Sequence, residues 1–148
     1  MTFLLVRHAS AGKRKAWTAD DRLRPLDARG RRQADGLVES LRGLGPTRVL
    51  SSASLRCRQT VEPLARVLGL AVEESAELRE GASADEVHAL AVKLAGEVAV
   101  LCTHGDVVED VLGEESEKGS TWVLRLVGDE LTPIEHLPPP GKGKRAFD

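Results

Sequence analysis

Two histidines stand where apolar runs end, each beside residues suited to an anion. Phe3-Leu4-Leu5-Val6 stops at Arg7-His8, and Val98-Ala99-Val100-Leu101-Cys102 runs into Thr103-His104-Gly105. Between them, Thr47 to Leu50 leads to Ser51-Ser52 and on to Arg56 and Arg58. A cation beside an imidazole is costly if buried alone and idle if it only faces water. If the three segments converge, two imidazoles and one or more guanidiniums surround one space. Such crowding is tolerable when an anion fills the space, and a phosphoryl group matches the planar fork of arginine. Imidazole attacks only when neutral, and flanking arginines disfavour its protonation. Phosphoryl transfer needs positioning and charge neutralisation, so fixed cations suffice and neither metal nor cofactor is expected. Arg56 and Arg58 sit about 200° apart around a helix of 3.6 residues per turn, so only one of them can face the space.

The elements that must position these groups follow from hydrophobic periodicity. Short apolar runs at Phe3–Val6, Thr47–Leu50, Leu70–Val72 and Val98–Cys102 read as strands. Helical spacing runs from Leu26 to Leu44, from about Ser54 to Leu68, from about Ser83 to Leu94 and over Val107–Leu112. Gly45-Pro46 and Gly69 end the first two of these helices. Thr121–Val127 and Leu131–His136 read as a hairpin about Gly128-Asp129. Strands alternating with helices predict an α/β fold, its mostly parallel central sheet covered by helices on both faces. In such sheets ligands bind beyond the carboxyl ends of the strands, where all three candidate segments fall.

The chain of 148 residues is one domain's worth, expected over residues 1–137, with a flexible Pro/Gly/Lys tail over 138–148. Aromatics at 3% and a net charge of −2 argue against a nucleic-acid polymer as partner. No apolar run approaches the length of a membrane span. Cys57 and Cys102, far apart and without metal spacing, fit a reducing compartment and buried small-residue roles, so a cytoplasmic protein is expected.

LLVRHA, SSASLRCRQTVEPLA and LCTHGDVVEDVL together resemble the signature segments of the histidine phosphatase superfamily, in order and with compatible spacing. The resemblance implies a phosphoglycerate mutase-like three-layer αβα sandwich. It implies that His8 is the nucleophile of a phosphohistidine intermediate, and that Arg7, Arg56, His104 and Gly105 hold the phosphoryl group. Arg56 rather than Arg58 matches the motif arginine, three residues before Gln59. Ala9 stands where glycine is usual and Ala53 where proline is, removing no reactive group. The resemblance also implies an acid for the leaving group. Glu80 is the choice, in a Leu-x-Glu pattern; Glu77 takes its place if the short branch is the better alignment.

The short length leaves no room for a sizeable cap and points to an open site, as in SixA-like phosphatases acting on phosphohistidine in proteins. RPLDARGRRQADGLV, RCRQTVEPLA and KGSTWVLRL also resemble the C-terminal half of actinobacterial MutT-type proteins, in which a Nudix domain precedes a phosphatase-like one. No Nudix box is present, so the chain is a free-standing relative or a piece of such a protein. A nucleotide or other small phosphoester is therefore the competing substrate. A third reading is a regulatory module that binds phosphate without turnover. His88 and His136 are expected to be structural or solvated. From Lys13 to Arg32, eight cationic residues face three acidic ones. They form either a solvated surface or a basic rim that steers substrate, which a fall of kcat/KM with ionic strength would reveal.

Overall fold

The computed structural model describes residues 2–141. Six strands, β1 (Thr2–Arg7), β2 (Arg48–Ser51), β3 (Val72–Glu74), β4 (Val98–Thr103), β5 (Thr121–Val127) and β6 (Glu130–Leu137), form one sheet in the order β3-β2-β4-β1-β5-β6. The pairings β1·β4, β2·β4 and β2·β3 are parallel, while β5 runs against both β1 and β6. Helices α1 (Ala28–Leu41) and α2 (Leu55–Leu68) cover one face, and α3 (Ala84–Lys93) and α4 (Gly105–Leu112) the other. The expected three-layer αβα sandwich is the fold.

Period-two alternation decides which face each strand residue serves. Leu4, Val6, Val100 and Cys102 join Leu37, Leu41, Val61 and Leu64 beneath α1 and α2. Phe3, Leu5, Ala99 and Leu101 join Leu90, Leu94 and Val108 beneath α3 and α4. Phe3 to Val6 are wholly buried, consistent with a strand covered on both sides, each side chain contributing roughly 2 kcal/mol.

The strand expected at Leu70–Val72 begins at Val72 instead. Gly69, at φ 69°, caps α2, and the Leu70 amide bonds back to the Ala65 carbonyl at 2.9 Å. The chain is committed to closing the helix until that point, so pairing with β2 starts at the Val49–Val72 register. Asp27 caps α1 by accepting from the Gly30 amide at 2.8 Å, which starts that helix at Ala28 rather than Leu26. The segment expected to be loose from residue 138 is packed at its start, because Pro139 is buried and Pro140 lies over Gly36. The remainder of that tail, 142–148, lies outside the described residues. Among the described residues no helix is long and apolar enough to cross a membrane.

One close approach ties α1 to the loop after β1. A Cβ on Gly30 would meet the Ser10 carbonyl oxygen at 1.9 Å. Gly30→Ala is expected to destabilise the protein by roughly 1–3 kcal/mol, read as a lower denaturant midpoint, because backbone must shift to admit the methyl group.

Candidate active site

The carboxyl ends of β1, β2 and β4 lie side by side, so the three segments that follow them meet at one edge of the sheet. His8 and His104 face the same hollow, their rings 5.6 Å apart and crossed at 71°. The His8 amide bonds to the Thr103 carbonyl at 3.0 Å, and the Gly119 amide donates to the carbonyls of both Arg7 and His8. The Ala9 amide donates to Thr60 Oγ1 at 2.9 Å, which hangs the turn on α2. Backbone bonds thus fix the turn that carries His8.

The His8 side chain is oriented by one further bond. Its Nδ1 lies 2.8 Å from the Ala9 carbonyl oxygen, which can only accept. Nδ1 therefore carries the proton, and Nε2 presents a lone pair. Burial holds the His8 pKa down to about 3; the Ala9 bond works against this, while His104, Arg56 and Arg7 lower it further. The imidazole is neutral at physiological pH. His8 takes up a proton near pH 6.5 when unfolded but only near pH 3 when folded, so the unfolded chain binds more protons between these limits. Stability must then fall as pH drops through that window. Between pH 6.5 and about 4 the free energy of unfolding is expected to fall by roughly 3 kcal/mol more for the unaltered protein than for His8→Ala, measured by denaturant titration at each pH.

Arg56, in the first turn of α2, is 1% exposed. Its Nη1 donates to the Asp21 carbonyl at 2.8 Å, and its Nη2 stands 3.1 Å from the Asp21 carboxylate and 3.6 Å from Glu80. The same Nη2 is 3.4 Å from His104 Nδ1. Arginine offers no acceptor, so His104 Nδ1 accepts and its Nε2–H donates to Ser52 Oγ at 2.9 Å. Arg58 points away and pairs with Glu74 at 2.7 Å, as the helical angle requires. The Nε atoms of Arg7 and Arg56 are buried without a hydrogen-bond partner. Arg7 donates through Nη1 to the Ser116 carbonyl and lies across Gly105, where a Cβ would come within 2.7 Å of the guanidinium. Gly105 therefore makes room for Arg7 as well as beginning α4.

Glu80 lines the same cleft, bound by Arg14 at 2.7 Å. Burial pushes its carboxyl up, but the Arg14 bond and the charges of Arg14 and Arg56 outweigh that and hold it below the usual carboxylate range. Glu77 lies elsewhere. Bonds to Ser75 at 2.6 Å and Lys93 at 3.0 Å tie it to the base of α3 and hold its pKa near about 2. Of the two acids open in the sequence, only Glu80 faces the histidines.

The cleft measures about 780 Å³, with Arg7, Lys13, Arg14, Lys15, Arg24 and Lys118 set against Glu80, Asp106, Glu109 and Glu115. The basic segment thus divides. Lys13, Arg14, Lys15 and Arg24 reach the cleft, whereas Arg22 turns outward to Asp20 and Arg31 bonds the Leu26 carbonyl. Asp21 supports the site unannounced by any motif, while Ser52 and Thr60 lie in SSASLRCRQTVEPLA and Arg24 in RPLDARGRRQADGLV, segments whose resemblance gave these three no role. Cys57 and Cys102 are wholly buried, Cys57 Sγ lying 3.6 Å from His104 Nε2. His88 lies on α3 and His136 packs its ring on Trp122 at 4.6 Å, both remote from the cleft.

A family model described as histidine phosphatase superfamily (branch 1) matches residues 3–87, more than half the chain. The chain belongs to the histidine phosphatase superfamily. His104 lies outside the matched stretch, and its place opposite His8 is supplied by the fold. An 8-oxo-(d)GTP phosphatase of Mycolicibacterium smegmatis is 40% identical over 157 aligned positions, covering 94% of this chain and 48% of the relative. This superfamily member spans less than half the length of the curated relatives it matches. The protein histidine phosphatase SixA, solved in complex with tungstate, superposes with a TM-score of 0.77 at 26% identity, over 94% of this chain and 97% of that one. A mycobacterial glucosyl-3-phosphoglycerate phosphatase in complex with VO3 shares the fold at a TM-score of 0.73 and 16% identity, over 90% and 96% of the two chains.

Proposed function

We propose that the protein is a metal-independent phosphatase that acts through a phosphohistidine on His8, with a nucleotide as its substrate, in the cytoplasm. The observation that carries the catalytic part is the Nδ1–Ala9 bond, which leaves a neutral Nε2 lone pair in a hollow rich in fixed cations. His8 Nε2 attacks phosphorus, Arg7 and Arg56 hold the non-bridging oxygens, His104 joins them when its Nδ1 carries a proton in place of the Arg56 contact, and the bond to the leaving oxygen breaks. Gly105, at the start of α4, adds a helix-terminal amide to the phosphoryl site.

The leaving oxygen needs a proton, and Glu80 is the group in reach of the cleft. Glu80 is ionised at rest because Arg14 and Arg56 sit against it. A phosphoryl group that engages those guanidiniums competes for their charge and adds its own, so its arrival raises the affinity of Glu80 for a proton. Glu80 then protonates the leaving oxygen, and as a carboxylate it takes a proton from the water that attacks the phosphohistidine. Phosphate departs and His8 is regenerated.

The nucleotide reading is supported by the 40% identical relative and by the cations beyond the histidines. Lys13, Lys15, Arg24 and Lys118 exceed what one phosphoryl group engages and suit a second or third phosphate. The competing reading, a phosphohistidine-bearing protein, is favoured by the likeness to SixA along nearly its whole length. Phosphate release from nucleoside mono-, di- and triphosphates, their 8-oxo forms and a phosphohistidine protein separates the two. A kcat/KM at least about tenfold higher for a nucleotide is expected, and the reverse order transfers the site to phosphohistidine. No release from any of them leaves a phosphate-binding module.

A further inference from the structure

Beside the catalytic cleft lies a second, smaller hollow of about 210 Å³. Its walls are mostly apolar, formed by Ala11, Ala16, Trp17, Pro25 and Leu26, with Asp27, which caps α1 and accepts from Ser10 and Gly12, at the edge. It shares Gly12, Lys13 and Arg24 with the catalytic cleft, so the two spaces lie on either side of one cationic partition. Ligand cavities for whole small molecules run from roughly 300 Å³ upward, which makes this hollow a place for one ring of a ligand anchored next door.

Trp17 makes the hollow more than a dent. The chain has two tryptophans, two phenylalanines and no tyrosine. Phe3 is core, Trp122 packs on His136, and Phe147 lies outside the described residues. Trp17 is the one aromatic left beside the cleft among the described residues, half-buried, and its ring stacks on no other. Its Nε1–H donates to the Asp20 carbonyl at 2.8 Å, which fixes the indole in place. Ala11 and Leu26, each 2% exposed, form a rigid apolar floor. A lone oriented indole beside a cationic partition combines two needs of a nucleotide, a face for the base and charge for its phosphates.

Resting on the nucleotide reading, we infer that the Trp17 hollow is the base subsite: the nucleobase stacks on Trp17 while its phosphates pass Lys13 and Arg24 to reach His8. Selectivity for nucleotides over other phosphoesters then resides in the strap from residue 12 to 26, away from the reacting atoms.

The test compares GDP with ribose 5-phosphate, which lacks the base. In Trp17→Ala, the ratio of kcat/KM for GDP to that for ribose 5-phosphate is expected to fall about ten- to hundredfold, the worth of one stacked base. Trp17→Phe is expected to retain most of the ratio. An equal fall on both substrates means a structural role and overturns the subsite, as does an unchanged ratio; either leaves the phosphatase reading standing. In Trp122→Phe, where Trp17 is the only tryptophan, GDP is expected to quench the fluorescence while ribose 5-phosphate and inorganic phosphate do not. Quenching by all three alike, or by none, contradicts the inference. Failure of the unaltered protein to release phosphate from GDP, with release from ribose 5-phosphate, overturns the nucleotide reading and the subsite together.

Discussion

His8→Ala is expected to release phosphate at least about a thousandfold more slowly than the unaltered protein on every substrate that the latter turns over. No other group can take the part. His104 Nε2 is engaged by Ser52, its Nδ1 faces Arg56, and the thiol of Cys57 is wholly buried behind it. The loss should be in kcat, because the arginines proposed to bind the phosphoryl group stay in place. Folding should survive, since His8 is held through its amide to Thr103 and its carbonyl to Gly119, bonds that alanine makes as well. A retained affinity for phosphate with turnover gone is the expected pair of measurements. Loss of binding with kcat preserved would show that His8 holds the substrate rather than attacking it.

Glu80→Gln should give the second-largest effect, and one that depends on the leaving group. For an alkyl phosphate, whose departing alkoxide needs a proton, kcat is expected to fall about 10²–10⁴-fold. For p-nitrophenyl phosphate, whose phenolate departs unaided, the phosphorylation step should change far less, seen as a burst of nitrophenol that persists in the variant. Glutamine keeps the shape and can still meet Arg14, so the comparison isolates the proton. Equal losses on both substrates would make Glu80 an electrostatic partner of Arg14 and Arg56 only. Glu77→Gln, tied to Ser75 and Lys93 outside the cleft, should leave this leaving-group dependence unaltered.

The cluster that joins these residues explains what could be read from sequence. Each strand of the parallel core is a short apolar run, and the residue that follows such a run must emerge at the carboxyl edge. Arg7-His8 and His104 were therefore placeable from hydrophobic pattern alone; the angle between Arg56 and Arg58 allowed only one of them inward, and the motif resemblance chose Arg56. The places that Asp21, Arg24 and Arg14 take in the site were hidden, beyond a general basic rim, because the strap from residue 12 to 26 has no periodicity. Two single turns of 3₁₀ helix, Arg14–Ala16 and Asp21–Leu23, position them. Which cation of that strap meets which anion is settled by long-range contacts, such as Arg14 with Glu80, sixty-six positions apart. Glu77 and Glu80 were ambiguous for a similar reason. Glu77 lies within the Ala76–Leu78 turn and Glu80 just beyond it, and the orientation of that turn is set by burial of Leu78 and by the bond from Thr103 Oγ1 to the Leu78 carbonyl.

The central claim is that phosphate leaves its substrate by way of His8. Acid-sensitive, alkali-stable phosphate should appear on the protein when turnover of a labelled substrate is stopped by rapid denaturation in base. Mass spectrometry of the digest should find it on the peptide containing Arg7-His8, and it should be absent from His8→Ala. Label on another residue, or steady turnover with no label at any time, would contradict the account.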